Sequence, residues 1–154
     1  MNLIEHGVYF VKDQYFEDFP SEHWMFNKGE KRPHYYALKD TKGVMWLIPM
    51  SSQVENYKRK IKNEERKRGE GNCIFYHIGL FAGKESVFII SDMMPITDTY
   101  IARSYLINNV EYVIKNDNLN RKLRSKAVRY IRLLEKKKLT DRNGILKIRK
   151  HLIK

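Results

Sequence analysis

The segment from His34 to Gly71 constrains the fold more than any other part of the chain. His34–Lys39 is rich in aromatic and aliphatic residues, Asp40-Thr41-Lys42-Gly43 reads as a turn, and Val44–Ile48 returns as a second apolar run. Two strand-forming runs around a short glycine-containing turn specify an antiparallel hairpin. Pro49 cannot donate to a strand ladder, so the second strand is expected to end there. Ser51-Ser52-Gln53-Val54-Glu55 follows, and Ser52 and Glu55 have the spacing of a capping box, which predicts a helix starting at Ser52. Val54, Tyr57 and Ile61 then recur at i, i+3 and i+7. The distal half is almost wholly charged until Gly69-Glu70-Gly71 stops it.

The rest of the chain supplies more of both elements. Gly7–Lys12 reads as a first strand, Asp13–Pro33 as an irregular loop with aromatic anchors, and Cys73–Gly79 and Ser86–Ile90 as two further strands joined by Leu80–Glu85. Asp92-Met93-Met94-Pro95 closes the last of these, for about five strands in all. From Asp117 the pattern turns helical. Leu119, Leu123, Ala127, Tyr130, Ile131 and Leu134 share one arc, and Arg121, Lys122, Arg124, Lys126, Arg129 and Arg132 share the other. Lys136-Lys137-Lys138 ends this helix, Thr140-Asp141 offers a new cap, and Ile145, Ile148 and Leu152 space out a last amphipathic helix. With no internal repeat or low-complexity linker, 154 residues fit one domain: a β-rich core over 1–114 and a basic helical region over 115–154. The expected class is α+β.

Charge divides the chain sharply. Residues 1–114 hold 15 Lys/Arg and 15 Asp/Glu, whereas residues 115–154 hold 15 and 3, so the whole net charge of +12 sits in the last 40 residues. Such an excess suits a polyanionic partner, because neutralising phosphates releases condensed counterions. The single cysteine, Cys73, excludes an internal disulfide, and no Cys/His cluster has zinc spacing. The first residues lack a basic stretch followed by a long apolar run, and no window approaches the roughly 20 apolar residues of a membrane helix. A cytoplasmic protein without membrane contact is the expectation.

One constellation could carry chemistry. A strand feeding a serine-capped helix gathers backbone N–H groups and the positive end of a helix dipole, a ready anion seat at Ser51-Ser52. Lys58 falls between Val54 and Ile61 on the anchored side of that helix, from which its ammonium could reach the same anion. Hairpin pairing brings His34 near Pro49-Met50, and a histidine titrates where proton transfer needs it. His6, His23, His77 and His151 have no comparable neighbours. Clustered carboxylates for two-metal catalysis are missing from the sequence, so no metal and no cofactor is expected. RNA can be cut without one, through attack of its own 2′-hydroxyl on the adjacent phosphate.

The run His34–Ile61, followed by the strand closing in Ser91–Ile96, resembles the ToxN/AbiQ toxins of type III toxin–antitoxin systems, in particular the CptN branch. The resemblance spans roughly residues 1–115. It implies a compact SH3-like, Kid/MazF-like antiparallel β-barrel core with added helices. It also implies a metal-independent endoribonuclease that leaves 2′,3′-cyclic phosphate ends. A small pseudoknot RNA antitoxin, processed from a repeat precursor, would inhibit it in a closed cyclic complex of 2:2 or 3:3 stoichiometry, and cellular or phage RNA would be the substrate. The family's nuclease segment corresponds to Pro49-Met50-Ser51-Ser52. Its usual lysine two residues beyond the second serine is replaced here by Val54, which leaves Tyr57 and Lys58 as the nearest inward-facing candidates. A basic residue before the first hairpin strand corresponds to Arg32.

Together these readings assign catalysis to His34, Ser52 and Lys58. They assign RNA contacts to Arg32, Ser51, Tyr57, Arg59 and Lys62, and to Arg121, Lys122, Arg124, Lys126, Arg129 and Arg132. The rival reading is a non-catalytic RNA- or DNA-binding module that uses the basic helices alone. A reader of duplex DNA is disfavoured, because no helix-turn-helix pattern with a suitable recognition helix appears.

Overall fold

The computed structural model describes residues 2–153. Nine strands alternate with four α-helices: β1 (Val8–Val11), α1 (Asp13–Asp18), β2 (Pro33–Lys39), β3 (Met45–Ser51), α2 (Val54–Arg68), β4 (Tyr76–Phe81), β5 (Lys84–Ile89), β6 (Met94–Ile96), β7 (Ile101–Ser104), β8 (Leu106–Ile107), β9 (Val110–Glu111), α3 (Asp117–Glu135) and α4 (Ile145–Leu152). The class is α+β, and every strand pair is antiparallel. Seven strands form one sheet in the order β4-β5-β3-β2-β1-β7, with β6 also paired to β3. β4 and β7 stand at the two ends of this path, while β8 and β9 make a separate hairpin.

The expected hairpin is the β2–β3 pair, with Tyr36 opposite Leu47 and Leu38 opposite Trp46 across a bulge. Asp40 organises its turn: its carboxylate accepts from Lys42 N, Val44 N and the Trp46 indole. Successive strand residues point to opposite faces, and both faces are covered here. Tyr35, Trp46 and Ile48 enter one core cluster with Leu123, Ala127 and Tyr130 of α3. Tyr36 and Leu47 enter a second with Tyr15 of α1 and Ile148 of α4. That double burial explains why Val44–Met50 reads as an uninterrupted apolar run.

Several expectations need correction. Pro49 does not end the second strand; β3 runs through it to Ser51. On the side of β3 away from β2, β6 pairs with Met45–Leu47 and β5 with Met50–Ser51, so Pro49 sits in the gap between two ladders. A residue without an N–H is tolerated at such a gap. The Ser52–Glu55 capping box does not form either. The Ser51 hydroxyl accepts from Gln53 N at 3.1 Å, Val54 N donates to the Ser52 carbonyl at 2.8 Å, and α2 starts at Val54. Serine's local turn has displaced the cap. Finally, the loop expected over Asp13–Pro33 opens with the six-residue α1, too short to show a helical period.

The helix from Asp117 forms as expected. The Asn116 side chain caps it by accepting from Leu119 N. Leu119 lies against Gly79 of β4 so closely that a Cβ there would stand 2.7 Å from its side-chain methyl, so a larger residue would require the leucine to shift. Buried Asn120 is satisfied on both sides, accepting from Tyr35 Oη at 2.6 Å and donating to the Ile114 carbonyl at 2.9 Å. The N-cap position of α4 is Gly144, in the left-handed region, and not Thr140 or Asp141; Asp141 instead reaches the helix start from three residues before that glycine, accepting from Ile145 N and Leu146 N. Arg149 of α4 reaches back to the Asp40 carboxylate at 2.6 Å, tying the chain's last helix to the hairpin turn.

Candidate active site

The β2–β3 register sets His34 opposite Pro49, which brings the residues ahead of β2 to the end of β3. There the buried Arg32 donates from Nη1 to the Met50 carbonyl at 2.8 Å and from Nε to the Phe26 carbonyl at 2.7 Å. Its guanidinium pKa is lowered, mainly by burial. The sequence therefore places Arg32 correctly beside the serine segment. Ser51 is buried at the end of β3, while Ser52 is exposed one residue further on.

His34 is only 2% exposed, and its Nδ1–H donates to the Arg32 carbonyl at 2.8 Å. Burial, with the Arg32 charge adding to it, lowers its pKa to about 4, so the ring is neutral at pH 7. It is sealed in the sheet, bonded to the Arg32 backbone rather than facing solvent. Lys58 lies 3.5 Å from Glu55 and 3.6 Å from Glu85, so two carboxylates hold its ammonium. Arg59 and Lys62 are exposed on α2. Along α3, Arg121, Lys122, Arg124, Arg129 and Arg132 are exposed. Arg124 pairs with Glu5 at 3.2 Å, and Lys126 is half-buried with Nζ 3.5 Å from the Tyr76 carbonyl.

The structure adds residues that no local pattern announces. Asp92, 5% exposed, accepts at Oδ1 from Arg142 Nη2 at 3.0 Å and from Asn143 Nδ2 at 3.3 Å. Asn143 in turn accepts from the Ser21 hydroxyl at 2.6 Å. Burial raises the Asp92 pKa although Arg142, Asn143 and Arg32 all favour the charged form. The ring of Tyr57 meets that of Tyr76 at 5.0 Å and 62°, and Lys60 Nζ lies 4.7 Å from the Tyr57 centroid. The Tyr57 hydroxyl pKa is raised by burial first and then by the Asp92 charge, with Arg32 and Arg142 opposing. The Tyr76 hydroxyl pKa is likewise raised, by burial first, with Tyr57 and Asp92 adding to it and Ser91 and Arg142 opposing. Arg32, Tyr57, Tyr76, Asp92 and Arg142 thus share one electrostatic environment, drawn from β2's approach, α2, β4, the turn after β5 and the segment before α4. One sequence signal could have flagged it: Asp92 is a lone carboxylate inside the apolar run Ile89–Met94.

Chemically, this is a cationic and phenolic site. Two guanidiniums can stabilise phosphate charge, neutral tyrosine hydroxyls can donate protons, and the exposed Ser52 beside the start of α2 offers further donors. Among the described residues no three His, Cys, Asp or Glu side chains come together to hold a metal ion, and no helix is long and apolar enough to cross a membrane.

Similarity to known proteins is visible in structure and not in sequence. Neither a protein-family model nor a curated protein sequence matches the chain. Among solved structures it is similar to AbiQ, a lactococcal anti-phage endoribonuclease of a type III toxin–antitoxin system, with a TM-score of 0.59, 12% identity, and 82% of this chain and 81% of that one covered. The chain has the AbiQ fold. A second similar structure comes from a bacterial antiviral system regulated by a processed non-coding RNA, with a TM-score of 0.54, 14% identity, and 88% of this chain and 90% of that one covered. At such identities the AbiQ likeness carries the fold alone, with the site residues argued from their own geometry.

Proposed function

We propose that this protein is an endoribonuclease toxin of a type III toxin–antitoxin system, cutting RNA without a metal and restrained by a small RNA. The observation that carries the reading is Arg142 bonded to buried Asp92, the Tyr57–Tyr76 ring pair, and Arg32 bonded to the Met50 carbonyl two residues before exposed Ser52, on the AbiQ fold. In the proposed reaction the 2′-hydroxyl gives its proton to solvent and attacks the adjacent phosphorus, and Tyr57 regains from solvent the proton it gives to the leaving oxygen. The 5′-oxygen leaves with a proton, and a 2′,3′-cyclic phosphate remains. Ser52 and the N-terminus of α2 hold the scissile phosphate, Arg32 and Arg142 offset its developing charge, and Tyr57, neutral at pH 7, protonates the leaving oxygen. Asp92 positions Arg142, and His34 positions Arg32.

In this reading residues 1–154 act as one unit in the cytoplasm on cellular or phage RNA. The antitoxin is a repeat-derived pseudoknot RNA that the toxin also processes, held in a 2:2 or 3:3 ring. Heterologous contacts close such a ring when the rotation per subunit permits. The basic arc of α3 favours the rival reading, a non-catalytic nucleic-acid-binding module, and one assay separates the two. Purified protein incubated with single-stranded RNA and EDTA is expected to give discrete products with cyclic phosphate ends. Ser52→Ala, Tyr57→Phe and Arg142→Ala are each expected to slow the cleavage at least about 10-fold, the lower range for loss of one acid–base or charge-stabilising group. Uncut RNA with the parent protein refutes the nuclease reading.

A further inference from the structure

The six basic residues on the outer arc of α3 are not equivalent. Arg124 is paired with Glu5. Lys122 and Lys126 instead line a cavity of about 470 Å3 where α2 and α3 approach the edge strand β4, together with Ser125, His77 and Ile61. Neither lysine is in an ion pair among the described residues. The one carboxylate lining the cavity, Glu65, accepts from Gly71 N at 2.6 Å and offsets part of the lysine charge, leaving two ammoniums to one carboxylate. Half-buried Lys126 reaches only the Tyr76 carbonyl, at a long 3.5 Å. Two ammoniums against one carboxylate in a concavity, with a hydroxyl and an imidazole beside them, make a receptor for an anion.

The elements that line the cavity also lead to the candidate active site. On α2, Ile61 follows Tyr57 by about one helical turn, roughly 5.4 Å. On β4 the link is through the backbone, since the Tyr76 carbonyl lies 3.5 Å from Lys126 Nζ. On α3, Lys126 precedes Tyr130 by one turn, and the Tyr130 hydroxyl donates to the Ser91 carbonyl next to Asp92. We propose that this cavity seats a backbone phosphate of the RNA strand passing through the Tyr57–Tyr76 site, with Lys122 and Lys126 as its grip. The assignment rests on the nuclease reading for the strand's presence there. It makes the groove between α2 and α3, and not the whole basic arc, the path of the RNA.

The test uses the full chain and an eight-nucleotide RNA with 2′-O-methyl groups, which cannot cyclise, followed by fluorescence anisotropy over a salt series. Lys122→Met with Lys126→Met is expected to weaken binding and lower the slope of log affinity against log salt by about 0.7 to 1.4, the value of one or two single-strand phosphate contacts. Lys136→Met with Lys137→Met removes the same charge at the far end of α3 and is expected to match the parent. Lys122→Arg with Lys126→Arg keeps the charge and is expected to recover most of the binding, which separates a lost contact from a damaged fold.

A local readout comes from the His77 ring, whose pKa is lowered to about 4 by burial and by Lys126 and Lys122. The groups facing it are those two lysines from α3, Glu65 from α2 and Cys73 from the loop before β4. An arriving phosphate is expected to raise that pKa, followed by NMR titration. Equal losses in the two methionine doubles, or a His77 ring that ignores the oligonucleotide, would overturn the proposal. Saturation of the His77 response by micromolar inorganic phosphate alone would overturn it too, in favour of a free-anion site. Failure of the nuclease reading would show separately, as an uncut unmodified octamer in the presence of the parent protein.

Discussion

The first 114 residues and the last 40 differ more in charge than in structural role. By composition the first region is balanced and the second strongly basic, which suggests a cutting core with a gripping appendage. The structure dissolves that division on the inner side of the helices. Leu123 and Ala127 of α3 are fully buried in the same cluster as Trp46 and Ile48, and Arg142 and Asn143 supply the partners of Asp92. Arg149 does the same for Asp40. Net charge therefore marks one surface of the helix, whereas the opposite face of the same helix finishes the core.

The sharpest way to break this comparison is to empty the contact between the two regions. Leu123→Ala deletes a fully buried side chain from α3 and is expected to cost about 2–5 kcal/mol, the range for large-to-small core substitutions. Urea denaturation should show one transition shared by tryptophan fluorescence and far-UV circular dichroism. A separate early loss of helix would restore the appendage picture.

A second, somewhat smaller effect belongs to the charge-balanced region. The folded-state pKa of His34 is about 4 against an ordinary 6.5. A depressed histidine contributes stability that is complete above pH 6.5 and lost as pH falls towards 4. At about 1.4 kcal/mol per pKa unit the loss is on the order of 3 kcal/mol. Asp92 has the opposite sign, since its raised pKa favours the fold at low pH. His34→Asn is expected to flatten the decline between pH 6.5 and 4, measured by denaturation at several pH values. An unchanged slope would place the response elsewhere, His77 being the next group with the same shift.

The smallest effect is expected at Lys58. Its two ion pairs are with exposed partners, so Lys58→Ala should lower stability by less than about 1 kcal/mol in a thermal melt. A larger loss would mean that the α2 to β4–β5 contact is stronger than surface pairing allows.

How far the sequence reaches depends on the range over which its signals act. The β2–β3 hairpin and α3 were legible because turn chemistry and a sustained apolar period are local. The strands over Ile101–Glu111 were not, being two to four residues long and without room for an alternation. Pro49 misleads because its tolerance depends on where β5 and β6 dock. Ser52 misleads because Ser51 competes for the turn. Within the site, Arg32 and the serine segment were legible, since a single hairpin joins them. Asp92 and Arg142 were not, because 50 residues separate them and only folding brings the pair together.

That separation has a consequence for the order of synthesis. Asp92 leaves the ribosome long before Arg142 and Asn143 do, so every shorter nascent chain carries a carboxylate destined for burial without its partners. Breaking such a pair from one side is strongly unfavourable. Translation must pass residue 143 before the pocket around Asp92 can close, and fragments stopping short of it lack the second guanidinium as well. The pocket around Asp92 is one that only a chain extended past residue 143 can complete.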